Sequence, residues 1–139
     1  MNGLSVFRRG ELARRSGLGI ETLRYYEKVG LIPQPPRSSG GYREYPGETL
    51  QRLRFIQSSK QLGFSLGEIR GLLQLKDQRD TSCEKVRERA LQKLVEVESK
   101  IEELERIRED LRELVELCDG SGAPEDCAIV TSLEEQQRS

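Results

Sequence analysis

The chain has 139 residues, 34% of them charged and 35% hydrophobic, with no histidine and no tryptophan. Such a composition is too apolar for a disordered chain, too polar for a membrane protein and too short for two full hydrophobic cores. The net charge of −1 conceals a division: residues 1–76 carry 13 Lys and Arg against 6 Asp and Glu, net +7, and residues 77–139 carry 10 against 18, net −8.

A basic half is the electrostatic footprint of a nucleic-acid binder, and an acidic half would be repelled by phosphate and should point away from it. No apolar run approaches the roughly 20 residues that span a bilayer, and "MNGLSVFRRGELARR" lacks a signal-peptide core, so a cytoplasmic protein with no membrane partner is expected. The three cysteines, an odd count, fit thiols kept reduced rather than a disulfide scaffold. An enzyme is not expected, since there is no histidine, no nucleophile–base pair and no glycine-rich phosphate loop.

In chain order, "RRGELARRSGLGIETLRYYEKVGLI" reads as two short helices. Leu12, Ala13, Leu18, Ile20, Leu23 and Tyr26 face a small core, and "SGLG" supplies the break. This is the helix-turn-helix pattern. In "PQPPRSSGGYREY" the prolines exclude helix, and the segment reads as a short β-hairpin with Arg37 on one arm and Tyr42 and Arg43 on the other. A basic hairpin after a helix-turn-helix is the layout of a winged helix. A third helix is expected over roughly Gly47 to Gln61, with Leu50, Leu53 and Ile56 inward. A fourth starts at "SLGEIRGLLQL", where Ser65 and Glu68 form a capping box.

The segment from about Cys83 to Leu117 is a long helix opened by a second capping box, Thr81 with Glu84, and closed by Asp119 and Gly120. Ala90, Leu94, Val97, Ile101, Leu104, Ile107, Leu111, Leu114 and Cys118 recur at spacings of three and four, with one slip where Arg108 would have continued the register. A lone helix cannot bury such a stripe, so a second copy is expected. "CAIVTSL" forms one last short helix. The expected units are residues 1–76 for DNA, 77–117 for dimerisation, and 118–139 for a loop, short helix and tail.

A helix from Cys83 to Cys118 separates the two thiols by roughly 52 Å, so one chain cannot bring them to a common ligand. Antiparallel packing of two long helices sets Cys83 of one protomer beside Cys118 and Cys127 of the other. Three thiols without imidazole are a soft-ligand set. A trigonal three-thiolate site suits Hg(II), Pb(II) or Cd(II), whereas Zn(II) would need a fourth ligand such as water, Asp119 or Asp126. Cys83 sits at the positive end of the helix dipole, which favours its thiolate. The competing reading is a redox switch with a Cys118–Cys127 disulfide, in which Cys83 is dispensable.

Candidate DNA contacts are Thr22, Arg24, Tyr25 and Tyr26 on the second helix and Gly41, Tyr42 and Arg43 at the hairpin. One of the two adjacent tyrosines must face the core. Arg14, Arg15 and Lys60 are either phosphate contacts or a solvated face.

With these pieces assembled, "GELARRSGLGIETLRYYEKVGLI", "GGYREY", "LQRLRFIQSSKQLGFSLGEI" and "CDGSGAPEDCAIVTSL" resemble the MerR family of transcriptional regulators over nearly the whole chain. The resemblance is greatest to the family's mercury regulators and their lead and cadmium relatives. It implies an all-α fold with a small β-hairpin wing: a winged helix-turn-helix domain, a long antiparallel coiled-coil dimerisation helix and a C-terminal metal-binding loop. It implies a homodimer on double-stranded promoter DNA that, on binding Hg(II) or another thiophilic divalent ion, underwinds and bends the DNA for RNA polymerase. The family's copper and gold sensors carry serine at the position of Cys83, and its zinc sensors typically have adjacent cysteines and a histidine in the loop. Ala128 departs from the proline that often follows the last loop cysteine.

Overall fold

The computed structural model describes residues 6–35, 40–78 and 82–136. The chain divides into two compact units, Met1–Arg89 and Ala90–Ser139. Among the described residues, no helix is long and apolar enough to cross a membrane.

The first unit opens with strand β1 (Val6–Arg8), helix α1 (Arg9–Ser16) and helix α2 (Ile20–Lys28). The expected break is made by Gly17, whose φ of 77° is left-handed and whose N–H donates to the Ala13 carbonyl at 2.9 Å. A side chain there would be strained, and glycine is not. The Ser16 hydroxyl donates to Ala13 O and accepts from Leu18 N–H, so the turn leaves these polar groups satisfied. Strand β2 (Glu44–Pro46) then leads directly into α3 (Gly47–Gln61) and α4 (Leu66–Asp77).

β2 has a strand partner that the sequence did not reveal, while the arm of the expected hairpin that carries Arg37 lies outside the described residues. "YREY" was expected to pair with the proline-rich segment before it; among the described residues its ladder partner is β1, antiparallel, with Val6 opposite Pro46, Phe7 opposite Tyr45 and Arg8 opposite Glu44. Val6, Phe7 and Arg8 all have N–H groups to offer this ladder, as Pro33 and Pro35 do not. The two sides of the loop are still tied, because the Arg43 guanidinium donates to the Pro35 carbonyl at 2.5 Å. Arg37 and the serines of "SSGG" lie outside the described residues, as does the Thr81 cap.

The core of this unit gathers Leu12 from α1, Leu23 and Tyr26 from α2, Leu31 and Ile32 after it, Tyr45 from β2, Leu50, Leu53 and Ile56 from α3, and Ile69 and Leu73 from α4. The i, i+3 spacing of Leu23 and Tyr26 and of Leu50, Leu53 and Ile56 is what turns one face of each helix inward. Ile20, expected in this core, is exposed because it is the first residue of α2, before the helix turns its apolar face inward. Two arginines fasten α3 and α4 to the end of α2: Arg52 donates to Leu31 O at 2.7 Å and Arg70 donates to Val29 O.

The capping box on α4 is complete. Ser65 Oγ accepts from Glu68 N–H at 3.1 Å, and Glu68 Oε1 accepts from Ser65 N–H at 2.8 Å. Helix α5 runs from Cys83 to Leu117. In the second unit a 3-10 turn (Pro124–Asp126) precedes α6 (Ala128–Gln136). Leu114 and Leu117 of α5 and Ser132 and Gln136 of α6 line a common groove. Along the stripe on α5, Leu94, Val97, Ile101, Leu104, Ile107 and Leu111 are exposed, and Leu114 and Cys118 at its end are half-buried.

Because the capping box satisfies two helix-end donors at once, Ser65→Ala should lower unfolding free energy by about 1 kcal/mol with an unchanged denaturant m-value. A midpoint equal to that of the unsubstituted chain in urea titration would show that α4 does not depend on its cap.

Candidate metal centre and nucleic-acid interface

The two loop cysteines come together. Cys118 follows the last residue of α5, Cys127 precedes the first residue of α6, and their sulfurs are 3.9 Å apart with Cys127 Sγ as donor. The return is made by a loop in which Gly120 and Gly122 have φ of 89° and 93°, backbone that side-chain-bearing residues rarely adopt. Gly120 N–H donates to Cys118 Sγ at 3.3 Å. Cys127 occupies the N-cap position of α6, and the backbone N–H groups of Val130 and Ile129 hold its pKa below the ordinary cysteine value against an opposing effect of burial, with Cys118 adding least. This is the side-chain capping interaction with sulfur in place of oxygen, and it favours the thiolate a metal ion requires.

The geometry fits one ion between the two sulfurs. With metal–sulfur bonds of about 2.3 Å, two thiolates on a trigonal or tetrahedral ion stand about 3.8–4.0 Å apart. A disulfide needs about 2.05 Å, and all three cysteines are free thiols. Asp119, considered as a fourth ligand, instead accepts from Ser121 Oγ at 2.6 Å and Ser121 N–H at 2.9 Å. Those bonds hold its carboxyl below the usual carboxylate range. Cys83 is exposed at the other end of α5. Among the described residues of a single chain, no three Cys, Asp or Glu side chains converge as a metal site.

The candidate DNA contacts divide by burial. Arg24 and Tyr25 are exposed on α2, Thr22 is half-buried, and Tyr26 is only 2% exposed within the core. Of the two adjacent tyrosines, then, Tyr26 is the core residue and Tyr25 the outward one. Gly41 has a left-handed φ of 85°, and Tyr42 beside it is exposed. Arg24, Gly41, Tyr42 and Arg43 line one cleft with Arg8, Arg9 and Lys28, so five cations surround a single carboxylate, Glu27. The Arg8 guanidinium lies 4.2 Å over the Tyr42 ring, a cation–π contact that holds a positive charge at the cleft wall. Arg8, Arg9 and Lys28 were missed in the sequence; the adjacent "RR" before α1 was the available signal. Arg14 and Arg15 instead pair with Glu11 on the surface of α1, at 3.6 and 3.1 Å.

The capping geometry predicts that Cys127 is alkylated with an apparent pKa below that of an unperturbed cysteine thiol measured in a short unstructured peptide. Iodoacetamide labelling across pH, read by peptide mass spectrometry on the reduced protein, measures it. A midpoint at or above that value would mean the α6 N–H groups do not stabilise the thiolate.

Comparison with known proteins agrees with this architecture. The family described as MerR HTH family regulatory protein matches residues 7–76, and the one described as MerR, DNA binding matches residues 50–114. The chain is 44% identical over 126 residues to the HTH-type transcriptional regulator HmrR of Rhizobium leguminosarum bv. viciae, covering 91% of this chain and 96% of that one. It is 41% identical over 127 residues to the mercuric resistance operon regulatory protein of Bacillus cereus, covering 91% and 96%. Among solved structures, the transcription regulator PbrR691 from Ralstonia metallidurans CH34 in complex with lead(II) superposes with a TM-score of 0.82 at 35% identity, over 91% of this chain and 98% of that one. These relatives are transcriptional regulators and not enzymes. With its two helices broken at Gly17, its basic cleft and these matches over nearly its whole length, the chain belongs to the MerR family of helix-turn-helix transcriptional regulators.

Proposed function

We propose that this protein is a metal-responsive regulator: a homodimer that binds double-stranded promoter DNA and switches its effect on RNA polymerase when a thiophilic divalent ion is captured by Cys118, Cys127 and Cys83 of the partner subunit. The observation that carries the reading is the Cys118–Cys127 pair, two free sulfurs at ligand spacing. The mercuric resistance regulator and the lead(II) complex among its relatives support a heavy-metal inducer.

Hg(II) is the favoured ion. The donor set is all sulfur, the chain has no histidine, and Asp119 is engaged by Ser121. Hard or borderline ions that recruit oxygen or imidazole gain less from such a set. Pb(II) and Cd(II) suit the same three thiolates, and Zn(II) suits them less. The third thiolate comes from a second copy because α5 exposes an apolar stripe, begins at Cys83 and ends one residue before Cys118. An antiparallel pair of α5 helices covers both stripes and forms two equivalent sites.

On the DNA side, Arg24 reaches a base edge or phosphate from α2, while Tyr25, Tyr42 and Arg43 contact the backbone, with Thr22 and Gly41 allowing close approach. Tyr26 is left out of this set because its ring is buried. The division of charge suits this arrangement, the basic half meeting phosphate and the acidic half turned away. Metal binds one of two dimer states better, and that difference in affinity selects which DNA shape is held. Such a regulator works in the cytoplasm.

The test is a titration of the reduced protein with Hg(II), Pb(II), Cd(II) and Zn(II) under a competing small thiol, followed by thiolate-to-metal absorption. Mercury should survive the competition, and Cys83→Ser, Cys118→Ser or Cys127→Ser should each abolish retention while leaving DNA binding intact. Retention of no ion at all, with a Cys118–Cys127 disulfide forming on oxidation, would replace the metal reading with a redox switch. For DNA, the ligand is a duplex selected from a randomised pool by the unsubstituted protein. Arg43→Ala should weaken binding across sequences and reduce the slope of log K against log salt by about 1, as loss of one phosphate contact requires. An unchanged slope and affinity would remove Arg43 from the interface.

A further inference from the structure

Glu27 is out of place by every local criterion. It lies in the last turn of α2, where the helix dipole disfavours a negative charge. It also lines a cleft of five cations whose proposed ligand is a polyanion. Its side chain is nonetheless only 5% exposed.

Its contacts show what the carboxylate does there. Oε1 accepts from the Tyr45 hydroxyl at 2.5 Å, and Oε2 accepts from Arg9 Nη2 at 3.0 Å. Arg9 Nε donates in turn to the Tyr45 hydroxyl oxygen at 3.0 Å. The three groups close a triangle between α2, the first residue of α1 and the middle of β2. Tyr45 is wholly buried, so its hydroxyl touches no DNA, and burial pushes its pKa up, which keeps it a proton donor to Glu27. Each corner of the triangle is adjacent to a group that faces the cleft. Arg24 is one helical turn before Glu27, Arg43 is two residues before Tyr45, and Arg8 precedes Arg9 and covers Tyr42.

We propose that Glu27 is the hub of a positioning device, with Tyr45 and Arg9 as its other members, that fixes the recognition helix α2 against the β1–β2 ribbon and so sets the spacing of the DNA-contacting cations. The proposal rests on the DNA-binding reading above. It assigns to Arg9 a structural role that removes it from the phosphate contacts despite its place in the cleft. It also explains why a carboxylate is tolerated there: Arg9 neutralises the charge and the tether outweighs its repulsion of phosphate.

Glu27→Gln separates positioning from charge, because the two predict opposite signs. If Glu27 only repels phosphate, removing its charge tightens binding to the selected duplex. If it positions, losing the charge-assisted bond to Arg9 weakens binding, by about tenfold. Tyr45→Phe should cause a comparable loss. Affinity is measured by fluorescence anisotropy on the full chain at fixed salt, beside thermal unfolding to confirm that each variant is folded at the assay temperature. In the Arg43→Ala background, Tyr45→Phe should cost far less than it does alone, since the group it positions is gone. Tighter or unchanged binding by Glu27→Gln, or a Tyr45→Phe loss that adds in full to that of Arg43→Ala, overturns the hub. If Arg24→Ala and Arg43→Ala also leave binding unchanged, it is the DNA reading that fails.

Discussion

The arrangement of this protein turns on one helix that cannot satisfy itself. Helix α5 runs for 35 residues with apolar side chains every three or four positions, and among the described residues most of those side chains are exposed, Leu104 at 62% and Leu111 at 54%. A single helix has no means of covering such a stripe, and apolar area left in water is the largest free-energy term available to drive association. The same helix begins at Cys83 and ends one residue before Cys118. The proposed dimer therefore follows from two independent requirements, cover for the stripe and a third thiolate for a pair that stands at metal-ligand spacing.

The two units divide the labour by charge and by chemistry. In Met1–Arg89, a small core of leucines, isoleucines and two tyrosines holds α2 and the β1–β2 ribbon so that arginines and a lysine converge on one cleft. Those cations are held by specific contacts: Arg8 by the Tyr42 ring, Arg43 by Pro35 O, Arg9 by Glu27 and Tyr45. In Ala90–Ser139, the loop between α5 and α6 uses left-handed glycines to bring two sulfurs together, and the backbone N–H groups at the start of α6 favour the ionised form of Cys127. The first arrangement suits phosphate and the second suits a soft cation.

Much of this was legible in the sequence, and the misses have physical reasons. The bounds of α3 and α5, the Ser65 capping box, the break at Gly17 and the short helix after Cys127 follow from spacing, caps and glycine placement, all of which are local. The partner of β2 was not legible, because a three-residue strand carries no periodicity and β1 lies some forty residues away in the chain. That one of Tyr25 and Tyr26 must be buried was readable; that it is Tyr26 follows from its place one turn beyond Leu23. The cysteines announced a site by position alone. Their 3.9 Å separation and the capping of α6 by Cys127 depend on loop dihedrals, which the run of Gly, Pro and Asp permits without specifying. The Glu27–Tyr45–Arg9 triangle joins three elements, and nothing in the local sequence of any of them points to the other two.

The most direct test of the cross-protomer site is a mixed dimer. Chains carrying Cys83→Ser and Cys118→Ser, each with a different affinity tag, are co-expressed, and the mixed species is isolated by two successive captures. Each parent homodimer lacks a ligand in both sites, whereas the mixed dimer concentrates both losses in one site and leaves the other whole. The account predicts one Hg(II) retained per mixed dimer against a competing thiol and none by either parent. No retention by the mixed dimer would contradict it, as would retention by the Cys83→Ser parent, since either outcome means the ion is not shared between two chains.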